Sequence, residues 1–151
     1  EENAFAHTNI DRFFFPKNIT KIGNDIFESC KNLETIDFHY DIELRCIEEN
    51  AFAGADIENI FIPESVEKLK RKWFGDNTRL NMIKVSKYNP DFIVKDKFLL
   101  GKTDPESENY DVLLFAFRDI IEARIPSNIK IISSFAFDKC KRMTYVFFDK
   151  N

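Results

Sequence analysis

The stretch EENAFAGADIENIFIP, residues 48–63, repeats almost letter for letter the stretch EENAFAHTNIDRFFFP at residues 1–16. Both begin with a polar turn before an Ala-Phe pair, and both end with alternating apolar residues before a proline. Two segments of nearly identical sequence in one chain are typical of a repeat protein, in which successive units occupy equivalent positions.

A phenylalanine that follows a small or apolar residue, most often alanine, marks five copies of a unit. The unit is about 22 to 25 residues long, within the range of leucine-rich solenoids. The anchoring rings are Phe5, Phe27, Phe52, Phe74 and Phe137. Each is followed by an apolar pattern that alternates like a strand with one buried face. In LETIDF, residues 33–38, one face carries Ile36 and Phe38, and the other carries Thr35 and Asp37.

One unit cannot bury its inward row alone, so stacked units must bury it as ladders of like residues. The sequence predicts three ladders: Phe13, Ile36, Ile60, Ile83 and Val146; Phe15, Phe38, Ile62, Val85 and Phe148; and the five anchoring rings. A proline removes a backbone donor and so ends a strand, as we expect at Pro16, Pro63 and Pro126.

The repeat fails over residues 86–118. The segment FIVKDKFLL predicts two short strands around Lys95, Asp96 and Lys97, and DVLLFAF predicts a third strand. We interpret the segment as an inserted hairpin, or as a coil that has lost its Ala-Phe turn. The whole chain then reads as one solenoid fragment with coils at about 1–21, 22–46, 47–68, 69–85 and 119–151.

The composition fits a globular protein: 151 residues, 44% hydrophobic, with 17 phenylalanines and a net charge of −4. An acidic chain without a basic stripe argues against a nucleic-acid partner. No apolar run approaches the roughly 20 residues that cross a bilayer, so we expect no direct membrane insertion of this fragment. The chain starts inside a repeat, which predicts a piece of a longer protein.

Few residues of the sequence are candidates for catalysis, metal binding or modification. Cys30, Cys46 and Cys140 have no CxxC spacing, and we interpret them as small buried residues, with a more reactive thiol at Cys46 as the alternative. His39 lies near two aspartates, which suggests an exposed polar turn rather than a metal site. No GxSxG, P-loop, GxGxxG or HExxH motif occurs, so we predict no enzyme, no cofactor and no metal site. The triplet at Asn18 is a candidate glycosylation site.

The segment IPSNIKIISSFAFDKCKRMTYVFF, residues 125–148, closely resembles the BspA-type leucine-rich repeat, IPxxVxxIxxxAFxxCxxLxxIxI. Thr8, Ala55 and Asn77 replace the cysteine in three coils, and Trp73 replaces the alanine in one. The resemblance implies an α/β solenoid of about five to six coils, mostly β, with short helical or 3₁₀ turns on the convex side. The inserted stretch from DKFLLGKTD to DVLLFAFRDI, residues 96–120, also resembles a segment found in the protozoan branch of this family.

The resemblance further implies an adhesin-like protein, at the cell surface or extracellular, that binds a host-cell or matrix protein. An intracellular scaffold, or a recognition domain attached to an enzyme outside this fragment, remains the alternative. Without polar capping repeats, the solenoid ends also predict homo-association.

The strand alternation predicts which side chains face outward on the concave surface. From these we select as partner-binding residues Phe14, Phe61, Phe147, Tyr145, Met82, Arg12, Lys84 and Arg124. Aromatic residues and arginine dominate binding hot spots, and exposed apolar patches mark partner sites. The alternative is that residues 86–118, or a neighbouring molecule, cover these rings.

Overall fold

The computed structural model describes residues 1–150, which form two compact units, Glu1–Asn89 and a second that begins at Pro90. All regular secondary structure in residues 1–150 is β. The first unit contains seven strands: β1 (Arg12–Phe15), β2 (Lys21–Ile22), β3 (Thr35–Phe38), β4 (Cys46–Ile47), β5 (Asn59–Ile62), β6 (Lys68–Leu69) and β7 (Met82–Val85).

Three coils of the first unit have three walls: a four-residue strand, a two-residue strand, and a turn that carries the anchoring ring. The fourth coil has the turn around Phe74 and the four-residue strand β7. The four-residue strands pair in parallel as β1 with β3 and β5 with β7, while the short strands form one parallel sheet in the order β2-β4-β6. Strands β1 and β5 end directly before Pro16 and Pro63, as the missing proline donor requires.

The predicted helical or 3₁₀ turns are wrong, because residues 1–150 contain no helix. The two residues placed two positions before and two after each ring have positive φ, which interrupts any helical run. These pairs are Asn3 and His7, Asp25 and Ser29, Asn50 and Gly54, Lys72 and Asp76, and Phe135 and Lys139. Asparagine, aspartate and glycine tolerate this left-handed conformation best, which explains their frequency at these positions.

The turns stack through their backbones. The N–H of Phe27 donates to the carbonyl of Ala51 in the next coil at 3.2 Å, while the N–H of Cys30 donates back to Phe27 at 3.1 Å. Donors of one turn thus alternate between closing that turn and bonding the adjacent coil. This alternation satisfies the backbone without a helix.

The interior of the first unit is a file of aromatic rings. Phe5, Phe27, Phe52 and Phe74 follow one another with ring centroids 5.0 to 5.8 Å apart. The last three are at most 1% exposed. The predicted ring ladder is therefore present in this unit, and it contains four of the 17 phenylalanines.

The second unit contains β8 (Ile93–Lys95), β9 (Phe98–Gly101), β10 (Val112–Ala116), β11 (Glu122–Ile125), β12 (Ile131–Ile132) and β13 (Tyr145–Phe148). Strands β8 and β9 form an antiparallel hairpin, closed by Asp96 and Lys97 with φ of 50° and 66°. Two consecutive positive φ values are the geometry of a type I′ turn, whose twist matches that of the flanking strands.

Strand β10 joins the hairpin to the repeat, because it pairs antiparallel with β9 and parallel with β12. Strands β11 and β13 form a separate parallel pair, and the ring of Phe137 packs edge-on against Phe98 at 6.1 Å. The buried carboxylate of Asp111 holds the polar loop that precedes β10. It accepts hydrogen bonds from the Thr103 N–H and hydroxyl, at 2.8 and 2.7 Å, and it forms an ion pair with Lys130.

Within residues 1–150 we find no helix with the length and apolar character needed to cross a bilayer.

Candidate functional site

The outward side chains of the four-residue strands form registered rows in the first unit. Phe14 lies beside Asp37 on paired strands β1 and β3, and Phe61 lies beside Lys84 on β5 and β7. Arg12 pairs with Thr35 in the same way, and Asn59 pairs with Met82. The phenylalanines are 56% and 44% exposed and Met82 is 43% exposed, although apolar residues of this size are usually inside.

The second unit also exposes outward aromatic side chains, on a single pair of four-residue strands. Tyr145 and Phe147 are 61% and 45% exposed on β13, and their rings stack at 6.0 Å. Arg124 lies in register with Phe147, and its guanidinium is 3.8 Å from the carboxylate of Asp149. All eight predicted partner-binding residues are therefore exposed strand residues, and whether they bind a partner stays a prediction.

The long-strand wall is interrupted once in the first unit, because β3 pairs only with β1 and β5 only with β7 among the described strands. The other two walls continue across this point: β4 pairs with β6, and Phe27 bonds Ala51. The rings of coil two and coil three are 25 residues apart instead of 22, and two of the extra residues follow β3. The longer coil thus separates the two strand pairs on one side only.

A groove opens along this interruption, and we call it the β3–β5 groove. Two adjoining depressions of about 460 and 280 Å³ compose it, and both are lined by Ile36, Asp37 and Phe61. Glu34 lies in the larger depression and Glu64 in the smaller one. Ile36 is only 7% exposed, which gives the groove an apolar floor.

The extra residues after β3 form a projecting turn at the smaller depression. Tyr40 is 94% exposed, with its ring 4.4 Å from that of His39. The Nδ1 atom of His39 accepts a hydrogen bond from the Asp41 N–H at 3.1 Å, and Asp41 pairs with Lys17 in the preceding coil. This pairing lowers the pKa of Asp41. The polar groups here support the turn, as the sequence suggests.

The remaining candidate residues have structural surroundings. The Cys30 thiol donates to the Phe5 carbonyl at 3.0 Å, as a small interior residue. Burial, followed by a hydrogen bond to Glu48, raises the pKa of Cys46, which disfavours the reactive thiolate. Asn18 lies exposed in the turn after β1, accessible to modification.

No group of three or more histidine, cysteine, aspartate or glutamate side chains is arranged to hold a metal ion anywhere in residues 1–150.

Sequence reasoning missed the groove and three residues around it, Glu34, Tyr40 and Glu64. The available signal was the unequal length of the coils, since extra residues on one side of a stacked turn must either bulge outward or part the strands. Strand alternation identifies the outward residues but carries no information on whether neighbouring coils stay in contact.

Comparisons with known proteins agree with this repeat architecture. The model of the BspA type Leucine rich repeat region matches residues 1–98 and 110–151 with six copies. No curated protein matches the chain.

Among solved structures, the pneumococcal vaccine antigen PcpA matches with a TM-score of 0.88 and 21% identity, over 98% of this chain and 36% of that one. A leucine-rich cell surface protein from Faecalibacterium prausnitzii A2-165 matches with a TM-score of 0.77 and 21% identity, over 97% of this chain and 44% of that one.

A leucine-rich repeat protein from Eubacterium ventriosum matches with a TM-score of 0.69 and 17% identity, over 91% of this chain and 44% of that one. The chain thus spans less than half the length of each of these three proteins. At these identities the likeness shows the fold, and together with the family model it establishes that the chain belongs to the BspA-type leucine-rich repeat family.

Proposed function

We propose that the chain is a non-catalytic binding module of an adhesin-like surface protein, and that it presents the outward strand faces to a protein partner on a host cell or in the extracellular matrix. The observation that carries the proposal is the exposure of aromatic side chains in registered rows. Phe14, Phe61, Tyr145 and Phe147 are each at least 44% exposed on strands, next to charged side chains.

These rows have the composition of an interaction surface. Aromatic and arginine side chains dominate hot spots because they bury a large area at a small cost in conformational entropy. Lys84 and Arg124, in register with Phe61 and Phe147, and Arg12 on β1 supply positive charge among the exposed rings, and such charges favour orientation and association rate.

The surface location is supported by two solved proteins with the same fold, one described as a vaccine antigen and the other as a cell surface protein. The proposed mechanism is surface complementarity, and it is supported by the exposed aromatic and charged side chains of the strands. Binding then depends on shape and buried area, with the rings at the centre of the contact.

The test is the double variant Phe14→Ser/Phe61→Ser, compared with the wild-type protein for binding to epithelial cells and to immobilised matrix proteins. We expect binding to fall at least tenfold while the circular dichroism spectrum and melting temperature stay the same. The matched control is Tyr88→Ser, which removes an aromatic ring that is 69% exposed outside the rows. Unchanged binding by the double variant would contradict the proposal.

A further inference from the structure

We infer that the β3–β5 groove receives an extended segment of the partner protein that carries arginine or lysine side chains. The inference rests on the proposed function and names the chemistry of the partner. Three observations lead to it: the interruption of the long-strand wall, the apolar floor, and the carboxylates that surround Phe61.

The shape of the groove favours an extended segment. The groove follows the direction of β3 and β5, and its two depressions share Ile36, Asp37 and Phe61, so they form one continuous channel. Four-residue strands make it on the order of 13 Å long. Strands β3 and β5 remain neighbours without ladder hydrogen bonds, so the segment would lie over the channel and contact the outward side chains of both strands.

The charge of the groove favours a basic segment. Glu34, Asp37 and Glu64 line it, and within residues 1–150 none of their carboxylates has an ion pair or side-chain hydrogen bond. Lys84 is the single lysine or arginine among the lining residues. An acidic or neutral segment would leave these carboxylates without compensation as water is removed.

Six acids of this unit bond a cation of a neighbouring coil, and Glu34, Asp37 and Glu64 are not among them. The pairs are Lys17 with Asp41, Lys21 with Glu48, Arg45 with Glu67, Arg71 with Glu49, and Arg79 with both Asp56 and Glu58. The groove thus combines a break in the strand ladder with three carboxylates that take no part in these pairs.

The exposed rings refine the side chain that the groove would select. Asp37 has Phe14 beside it on the paired strand β1 and Phe61 beside it across the groove, and Tyr40 projects near its end. A guanidinium can donate to a carboxylate and stack on an aromatic face at the same time. Arginine therefore satisfies both features of the groove, and lysine satisfies them less completely.

The direct test uses a defined peptide probe. The ¹⁵N-labelled protein is titrated with acetyl-Ser-Arg-Ser-Arg-Ser-amide, and separately with the same peptide in which citrulline, a neutral analogue of equal shape, replaces arginine. We expect the arginine peptide to shift amide resonances of residues 34–38 and 59–64, with weaker binding at higher salt. Equal binding of the citrulline peptide, or shifts confined to other residues, would overturn the inference.

Two variants test whether the charge of Asp37 contributes to binding of the arginine peptide. Asp37→Asn keeps the shape and removes the charge, and we expect it to weaken binding of the arginine peptide at least fivefold. Glu122→Gln is the matched control, because Glu122 is also an exposed outward strand residue but lies on β11, outside the groove. Equal affinity of Asp37→Asn and wild-type protein for the peptide would contradict the assignment.

The inference and the proposed function fail separately. If Phe14→Ser/Phe61→Ser abolishes cell binding but the arginine peptide does not bind, the face is used and the inference on the groove is wrong. If the double variant binds cells normally, the proposed function is wrong, and the inference that depends on it is rejected even where the peptide titrates into the groove.

Discussion

The rings of Phe27 and Phe52 lie nearly parallel, with planes 11° apart and centroids 5.8 Å apart. They belong to the two coils between which the long-strand wall is interrupted. Their separation nonetheless matches the 5.7 Å between Phe5 and Phe27, where the wall is intact. The interruption is therefore confined to the outer face, and the core is continuous beneath it.

The first prediction concerns this ring file. Phe52→Ala removes a fully buried ring that contacts Phe27, Phe74 and Trp73. We expect a loss of about 3–5 kcal/mol in the free energy of unfolding, because such a substitution loses burial and leaves a cavity. Urea denaturation followed by circular dichroism measures it. Phe14→Ala, on the exposed face, is the control, and we expect it to cost less than about 1 kcal/mol. Equal losses would contradict the ring file.

The second prediction concerns Asn77, which is 1% exposed at a position where other coils have cysteine. Its Nδ2 donates to the carbonyls of Ala55 and Ile57, at 2.7 and 3.0 Å, and its Oδ1 accepts the N–H groups of Arg79 and Leu80, both at 2.8 Å.

Because Asn77→Ala leaves buried backbone groups without partners, we expect a loss of roughly 1–3 kcal/mol in the free energy of unfolding. Urea denaturation again provides the value. Asn59→Ala, at an exposed strand position, is the control, and a loss no larger at Asn77 than at Asn59 would argue against the hydrogen-bond network.

The third prediction concerns the stability of the protein at low pH. Hydrogen bonds from Thr103, and then from Lys130, lower the pKa of Asp111 from 3.8 to about 2. A carboxylate whose pKa is lower in the folded state stabilises the fold above its unfolded pKa and loses that contribution as pH falls toward the folded value. We therefore expect the melting temperature to fall between about pH 4 and pH 2 partly through this group.

The check is Asp111→Asn, measured by thermal melts over the same pH range. We expect the variant to be less stable at pH 7 and to show a shallower decline below pH 4 than the wild-type protein. Asp104→Asn, in the exposed part of the same loop, should leave the decline unchanged. If both variants follow the wild-type curve, Asp111 does not carry the acid sensitivity.

The registers of the long strands follow directly from the sequence. Alternation assigns Ile36 to the interior and Asp37 to the surface, and the structure places them so, opposite Phe13 and Phe14 on β1. Strand alternation is a local property with a period of two, and stacking equivalent coils leaves only one register in which like residues meet. The outward residues of the long strands could therefore be predicted from the sequence pattern alone.

The turns and the groove were not accessible in this way. The φ angles at Asn50 and Gly54 follow from how backbone donors are shared between coils, and hydropathy does not report this sharing. The groove depends on where the extra residues of the second coil are absorbed. Tyr40 projects outward while Ile42 stays buried, and that outcome reflects packing in three dimensions.

Because alternate N–H groups of the turns around Phe5, Phe27 and Phe52 bond the next coil, these bonds between coils do not depend on side-chain identity. Turns with threonine, cysteine or alanine three residues after the ring, at Thr8, Cys30 and Ala55, thus stack in the same way. Side chains at the outward strand positions can then vary without loss of the backbone bonds that hold these turns together.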